Sequence, residues 1–108
     1  MIRIDLVAKD WQEIDGWKIA PAGVPWIAEG SRIKIGASAR SAVDIGFADG
    51  YRKCIAEVNG IAYIGAGCRW FTLAEALKHW GNHAENRRLT MCLLESAKAI
   101  ATLNGWKF

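Results

Sequence analysis

Residues 51–81 read YRKCIAEVNGIAYIGAGCRWFTLAEALKHWG, a β-hairpin that runs on into a capped helix. Asn59-Gly60 separates two apolar runs, Cys54–Val58 and Ile61–Ile64. A two-residue type I′ turn needs positive φ at both central residues, which Asn-Gly tolerates well. The short loop sets the register: Val58 opposite Ile61, Ala56 opposite Tyr63, Cys54 opposite Gly65 and Tyr51 opposite Cys68. Side chains alternate across a strand, so Cys54, Ala56, Val58, Ile61 and Tyr63 share one face. Tyr51, Ile55, Ala62, Ile64, Ala66 and Cys68 share the other, together with Lys53 and Glu57. Both faces are largely apolar and need cover, from helices or from a partner chain. Cys54 and Cys68 fall on opposite faces, so no disulfide is expected between them.

The helix that follows opens on a capping box. Thr72 can accept from the amide of Glu75, and the Glu75 side chain can reach back to the amide of Thr72. Leu73, Ala76, Leu77 and Trp80 recur at helical spacing and form one apolar stripe. Gly81 stands where a left-handed C-cap is expected.

The 108 residues make one domain with a single modest core. A hydrophobic fraction of 52% with only two prolines points to an ordered chain. Met1 to Val7 alternates charged and apolar groups, which is not the pattern of a signal peptide. No apolar run approaches the roughly 20 residues of a membrane span, so no membrane partner is expected. Three cysteines, at 54, 68 and 92, suit reduced thiols in a cytosolic compartment. A net charge of +3 excludes an acidic nucleic-acid mimic and is too small to demand an anionic partner.

Upstream of the hairpin, Ile2–Val7 alternates apolar and charged residues and reads as a strand. Lys9–Ile14 carries no decisive signal. Asp15-Gly16 can close a small hairpin between Ile14 and Trp17–Ile19. Pro21, Gly23 and Pro25 mark an irregular connection. From Ile27 two readings compete. In one, Ile27, Ile33, Ala39 and Ile45 recur every six residues, with Ser31, Ala37 and Val43 four later, as in hexapeptide β-helix coils. In the other, Asp49-Gly50 is a further two-residue turn that pairs Val43–Ala48 with Tyr51–Val58 and extends the hairpin into a meander, the reading its specific turn residues favour. Downstream, residues from about 84 to 104 form a second helix with a stripe of Leu89, Leu93, Ala97, Ile100 and Leu103 or Asn104. Cys92, Ser96 and Ala99 support that stripe. Gly105 is its expected stop, after which Trp106 and Phe108 fold back on the core.

The fold class read from these elements is α+β. An antiparallel sheet or meander, with or without short hexapeptide coils, occupies residues 1–68. Two C-terminal helices, 72–80 and about 84–104, pack on it. The run Gly67–Ala76, GCRWFTLAEA, with His79-Trp80-Gly81, resembles a module at the end of small phage and prophage proteins, where hexapeptide-like β repeats often precede it. The resemblance covers roughly Ile27 to Phe108, is strongest from Tyr51 onward, and meets few repeats in this chain. It implies an origin in a phage or integrated element, hence the cytoplasm of a bacterial host or a virion, and it carries no functional residue with it.

Candidate chemistry can be weighed residue by residue. Ile64-Gly65-Ala66-Gly67, between a strand and a helix with Arg69 beside it, resembles a phosphate-binding glycine turn. Its third glycine position is Trp70, and no βαβ unit follows. The plainer reading gives Gly65 and Gly67 to a close backbone approach or a bulge. His79 and His83, near Cys68, Glu85 and Cys92, lack the spacing of a metal motif because Gly81 interrupts the helix, and no CxxC or HExxH occurs. Cys54 and Cys92 read as buried, inert thiols. Cys68, beside Arg69 at the expected helix entrance, is the thiol best placed for reactivity. No catalytic residue, metal or cofactor is expected.

Binding is the better-supported class. Arg32, Lys34, Arg40, Arg52, Lys53 and Arg69 interleave with Trp26, Tyr51 and Trp70, a mixture suited to nucleic-acid backbones and stacked bases. Glu29, Asp44, Asp49 and Glu57 dilute it. Six tryptophans exceed what so small a core is expected to bury, and tryptophan is enriched at binding hot spots. The candidate binding residues are therefore Trp26, Arg52, Lys53, Gly65, Gly67, Arg69, Trp70 and Trp80. The leading expectation is a non-catalytic binding protein of phage type that occupies a host protein, for instance as an inhibitor of a defence component, and associates with itself. A virion or assembly subunit, and a nucleotide or nucleic-acid binder, are the alternatives.

Overall fold

The computed structural model of the chain describes residues 2–36 and 38–108. Met1 of the N-terminal alternation and Ala37 of the hexapeptide frame lie outside the described residues. The fold is α+β, with two antiparallel sheets of three and four strands and helices at both ends of the chain. No helix among the described residues is long and apolar enough to cross a membrane.

A four-stranded meander forms the middle layer: β4 (Ala39–Ala48), β5 (Tyr51–Val58), β6 (Ile61–Ala66) and β7 (Arg69–Thr72), paired in that order. Asp49-Gly50 and Asn59-Gly60 turn it with φ of 53° and 89°, and 53° and 82°, the all-positive pattern of type I′ turns. Val58 pairs with Ile61, Ala56 with Tyr63 and Cys54 with Gly65, as the two-residue loop requires. The meander therefore replaces the hexapeptide coils over this stretch. Ile33 and Ala39 fall in strands, and Ile45 sits at a register shift in β4.

Three short strands precede the meander as a separate sheet: β1 (Glu13–Ile14), β2 (Trp17–Ile19) and β3 (Arg32–Ile33). The expected Asp15-Gly16 hairpin joins the first two. The expected strand Ile2–Val7 is instead a helical turn, α1 (Ile4–Val7), followed by a 3₁₀ turn at Ala8–Asp10. The physical reason is cover. Only Ile4 of the alternating set is buried, whereas Ile2 and Leu6 are exposed; the buried series is Ile4, Ala8 and Trp11, which is helical spacing.

Both faces of the meander are covered within the chain over β5 and β6, whereas Val43 and Phe47 of β4 stay exposed. On one, Cys54, Ala56 and Val58 pack against Ile4, Trp11, Trp26, Ile27 and Ile33 of the N-terminal layer. On the other, Ile55, Ala62, Ile64 and Ala66 meet α2 (Leu73–Gly81) and α3 (Arg88–Asn104) through Leu73, Ala76, Trp80, Leu94, Ala97 and Ala101.

The fourth strand departs from the sequence reading. Gly67-Cys68 is a tight turn, and Arg69–Thr72 returns along β6 with Ala66 opposite Arg69 and Gly65 opposite Trp70. Tyr51 therefore does not pair with Cys68; β5 and β6 part at Lys53 and Ala66. Trp70 and Phe71 are strand-forming residues with an apolar surface on each side, which is what this position offers.

Helix α2 begins on the expected capping box, with Glu75 N donating to Thr72 Oγ1 at 3.1 Å and Thr72 N donating to Glu75 Oε1 at 2.9 Å. Gly81 remains helical and Asn82 caps the helix in a right-handed conformation, so the left-handed cap expected at Gly81 is not made. Gly105 does end α3 in the left-handed region, at φ 72°. The buried stripe of α3 is Thr90, Leu94, Ala97 and Ala101; Leu89, Cys92 and Leu103 are exposed and Leu93 is half-buried. Ala97 and Ala101 share the buried face with Leu94, while Leu89 and Leu103 lie on the solvent side. Beyond α3, Trp106 packs on the helical core and Lys107 bridges to Ile61, while Phe108 stays 46% exposed.

Candidate functional site

The α2–α3 connection brings the end of α2 and the start of α3 to one end of the meander, beside the β4–β5 and β6–β7 turns. A cleft of ≈ 390 Å³ opens there. Asp49 and Tyr51 contribute from the first turn, Lys53 and Ala66 from the ends of β5 and β6, and Cys68 and Arg69 from the second turn. His79 and Trp80 come from the end of α2, and His83 and Arg87 from the connection to α3.

Lys53 sits deepest, with 2% of its surface exposed. Its Nζ donates to the Ala48 carbonyl at 2.6 Å and to the Tyr51 carbonyl at 3.3 Å, and stands 5.9 Å from the centre of the Trp80 ring. Burial holds its ammonium below the ordinary pKa of 10.5, Asp49 opposes that fall, and Arg87 adds to it. Asp49 is the cleft's one carboxylate, and it accepts a hydrogen bond from Thr90 Oγ1. Arg69 and Arg87 are exposed. Neither forms an ion pair among the described residues; the Arg87 guanidinium donates to the Asn86 carbonyl. Arg87 is also the residue that precedes α3, whose first turn carries no side-chain cap and no acidic residue. That helix end therefore adds a partial positive charge to the same side.

Of the eight binding residues read from the sequence, Lys53, Arg69 and Trp80 meet in this cleft. Gly67 borders it, at φ 56° and against the Tyr51 ring. The other four lie elsewhere. Trp26 is 4% exposed in the N-terminal layer and stacks on Trp11 at 5.6 Å. Trp70 stacks on Tyr63 at 5.3 Å. Gly65 lies in β6, where an added Cβ would stand 3.0 Å from Cys54 Sγ and 3.3 Å from the Trp70 ring. Arg52 pairs with Asp44. The phosphate-turn alternative at Gly65–Gly67 lacks its helix, because β7 separates the turn from the N-terminus of α2. Cys68 accordingly sits in a hairpin turn and not at a helix entrance.

Tyr51, Asp49, His79, His83 and Arg87 complete a site that the linear reading did not assemble. The signal of His79, His83 and Arg87 was present as basic and imidazole residues around the α2–α3 connection, which only chain reversal brings to the sheet. Among the described residues no group of three or more His, Cys, Asp and Glu is close enough to hold a metal ion. Cys54 is fully buried, and burial pushes its thiol up to about 12, whereas Cys68 and Cys92 are exposed. Trp11, Trp26 and Trp80 are buried, whereas Trp17, Trp70 and Trp106 are half-buried, so the core covers three of the six indoles in full. Comparison of the chain with models of known protein families, with curated proteins and with solved structures finds no match.

Proposed function

We propose that the protein is a binding protein for a small anionic ligand of the phosphate-bearing class, held in the cleft between the meander and the α2–α3 connection. The observation that carries this reading is the convergence of Lys53, Arg69 and Arg87, with His79 and His83, on one concave site that holds a single carboxylate, Asp49. The volume of ≈ 390 Å³ falls in the range of small-molecule sites. Two arginines without carboxylate partners, beside a partly desolvated lysine, favour an anion with several acceptor oxygens. The ligand is retained and not turned over.

The test is titration with pyrophosphate, read by calorimetry or by intrinsic tryptophan fluorescence. Arg69→Ala with Arg87→Ala alters two exposed side chains and leaves the core intact. The double variant is expected to lose at least about ten-fold in affinity, consistent with two charge-assisted contacts. Added salt is expected to weaken binding to the wild type. Equal affinity of wild type and double variant, or no binding of pyrophosphate at all, overturns the reading.

A second reading, contact with a protein partner or a second copy, draws on a different surface. β4 is an edge of the meander, and Val43 and Phe47 on it are 41% and 61% exposed. An open edge with apolar side chains is a place where chains associate. Phe47→Asp is expected to shift the oligomeric state in light scattering; a monomer at all concentrations in both proteins sinks this second reading.

A further inference from the structure

Resting on the anion-binding reading of the cleft, we infer that its ligand is a mononucleotide: a phosphate-bearing group joined to a planar base, with the base on Tyr51. Two aromatic side chains reach the cleft, and they differ in what already covers them. Trp80 is 9% exposed, edge-on to Phe71 at 5.7 Å and to His79 at 5.1 Å, with Lys53 Nζ over its ring. Its surface is satisfied within the chain. Tyr51 is 55% exposed and takes part in no ring stacking or cation–π contact among the described residues.

The Tyr51 ring is nevertheless held in place. It lies so close over Gly67 that a β-carbon there would stand 2.7 Å from Cδ1 and 2.8 Å from Cε1. Glycine at this turn thus gives the ring a flat backing of main chain. An aromatic ring held from behind, open in front and beside two arginines is a platform for a base whose phosphates lie on the cations. A bare phosphate or pyrophosphate would leave that ring unused.

The probes are ADP, UDP, pyrophosphate and oligothymidylate, titrated into the full chain, its Tyr51→Ala variant and its Tyr51→Phe variant. ADP is expected to bind about ten-fold tighter than pyrophosphate, the scale of one base stacked on an aromatic side chain. Tyr51→Ala is expected to remove that advantage, so that the variant binds ADP no more tightly than it binds pyrophosphate. Tyr51→Phe, which keeps the ring, is expected to retain it, and UDP to fall between ADP and pyrophosphate. Equal binding of ADP and pyrophosphate overturns the nucleotide assignment and leaves the anion site standing. Tighter binding of oligothymidylate than of either diphosphate overturns it in favour of single-stranded nucleic acid. Failure of every probe overturns both this assignment and the reading beneath it.

Discussion

Thr90 Oγ1, fully buried in the first turn of α3, donates a hydrogen bond to Asp49 Oδ2 in the β4–β5 turn. This bond ties the last helix to the rim of the cleft across 41 positions of sequence. It also occupies the one carboxylate among the cleft's cations. Thr90→Val keeps the shape and removes the donor. Because the acceptor is charged, the loss is expected to lower the unfolding free energy by about 1.5–3 kcal/mol, measured by urea denaturation. An unchanged midpoint would show that the bond contributes nothing.

Asp49→Asn should act in the opposite sense on binding. The amide oxygen can still accept from Thr90, while the negative charge facing Lys53 is gone. Affinity for pyrophosphate is expected to rise roughly five-fold at low salt, with the gain shrinking as ionic strength increases. A fall in affinity would mean that Asp49 faces a cation of the ligand and not an anion.

Gly67 and Gly65 should both resist substitution, for different reasons. At Gly67 alanine meets a φ of 56° as well as the Tyr51 ring, and a cost of about 1–3 kcal/mol is expected. Because the ring is displaced, any preference for ADP over pyrophosphate should vanish with it. At Gly65 the backbone is ordinary and the crowding comes from buried neighbours, so Gly65→Ala is expected to cost about 1–3 kcal/mol by overpacking. Thermal melts that match the wild type for both variants would contradict the packing described here.

Thiol chemistry separates the three cysteines. Cys68 and Cys92 are expected to react with a disulfide reagent in the native protein, and Cys54 only after unfolding. Burial raises the Cys54 pKa from its ordinary 9.0 to about 12 in the fold. A raised folded pKa means that the stability from keeping this thiol neutral is complete below about 9 and is lost as pH climbs toward 12. The stability difference between wild type and Cys54→Ala should therefore fall over that window. Rapid native labelling of Cys54 would refute its burial.

Lys53 has the reverse sign. Its folded pKa lies below the unfolded 10.5, so the unfolded chain binds more protons between the two values. The penalty for burying the ammonium is complete below the folded pKa and disappears as pH rises to 10.5. Relative to Lys53→Met, the wild type should thus gain stability with rising pH through this window. A difference that is flat from neutral pH to 10.5 would show that Lys53 is as well solvated in the fold as in the unfolded chain.

Much of the meander was legible because its signals are short-range. Asp15-Gly16, Asp49-Gly50 and Asn59-Gly60 each adopt the turn that their residues favour, and the Thr72–Glu75 box starts α2 where it was expected. Of the site, Lys53, Arg69 and Trp80 were named from sequence and Tyr51 stood in the same basic and aromatic mixture, whereas His79, His83 and Arg87 were not gathered with them. The six tryptophans divide between the layers: Trp11 and Trp26 are buried on one face of the meander and Trp80 on the other, Trp70 and Trp106 pack beside them half-buried, and Trp17 lies under Arg32 and Lys34 outside both clusters.

The sequence by itself determined the Asp15-Gly16, Asp49-Gly50 and Asn59-Gly60 turns, the Thr72 cap, the Gly105 stop and the register from Val58–Ile61 to Cys54–Gly65, because each depends on atoms within a few residues of one another. Tertiary structure decided the rest. Ile2–Val7 alternates like a strand yet turns as a helix, because Ile4, Ala8 and Trp11 find cover at helical spacing. Arg69–Thr72 becomes a strand because β6 offers an open edge. α3 buries Thr90, Leu94, Ala97 and Ala101 because these are the residues that meet the meander and α2. The cleft exists only because the chain reverses between α2 and α3 and sets Arg87 beside Lys53, a proximity that no local interaction specifies.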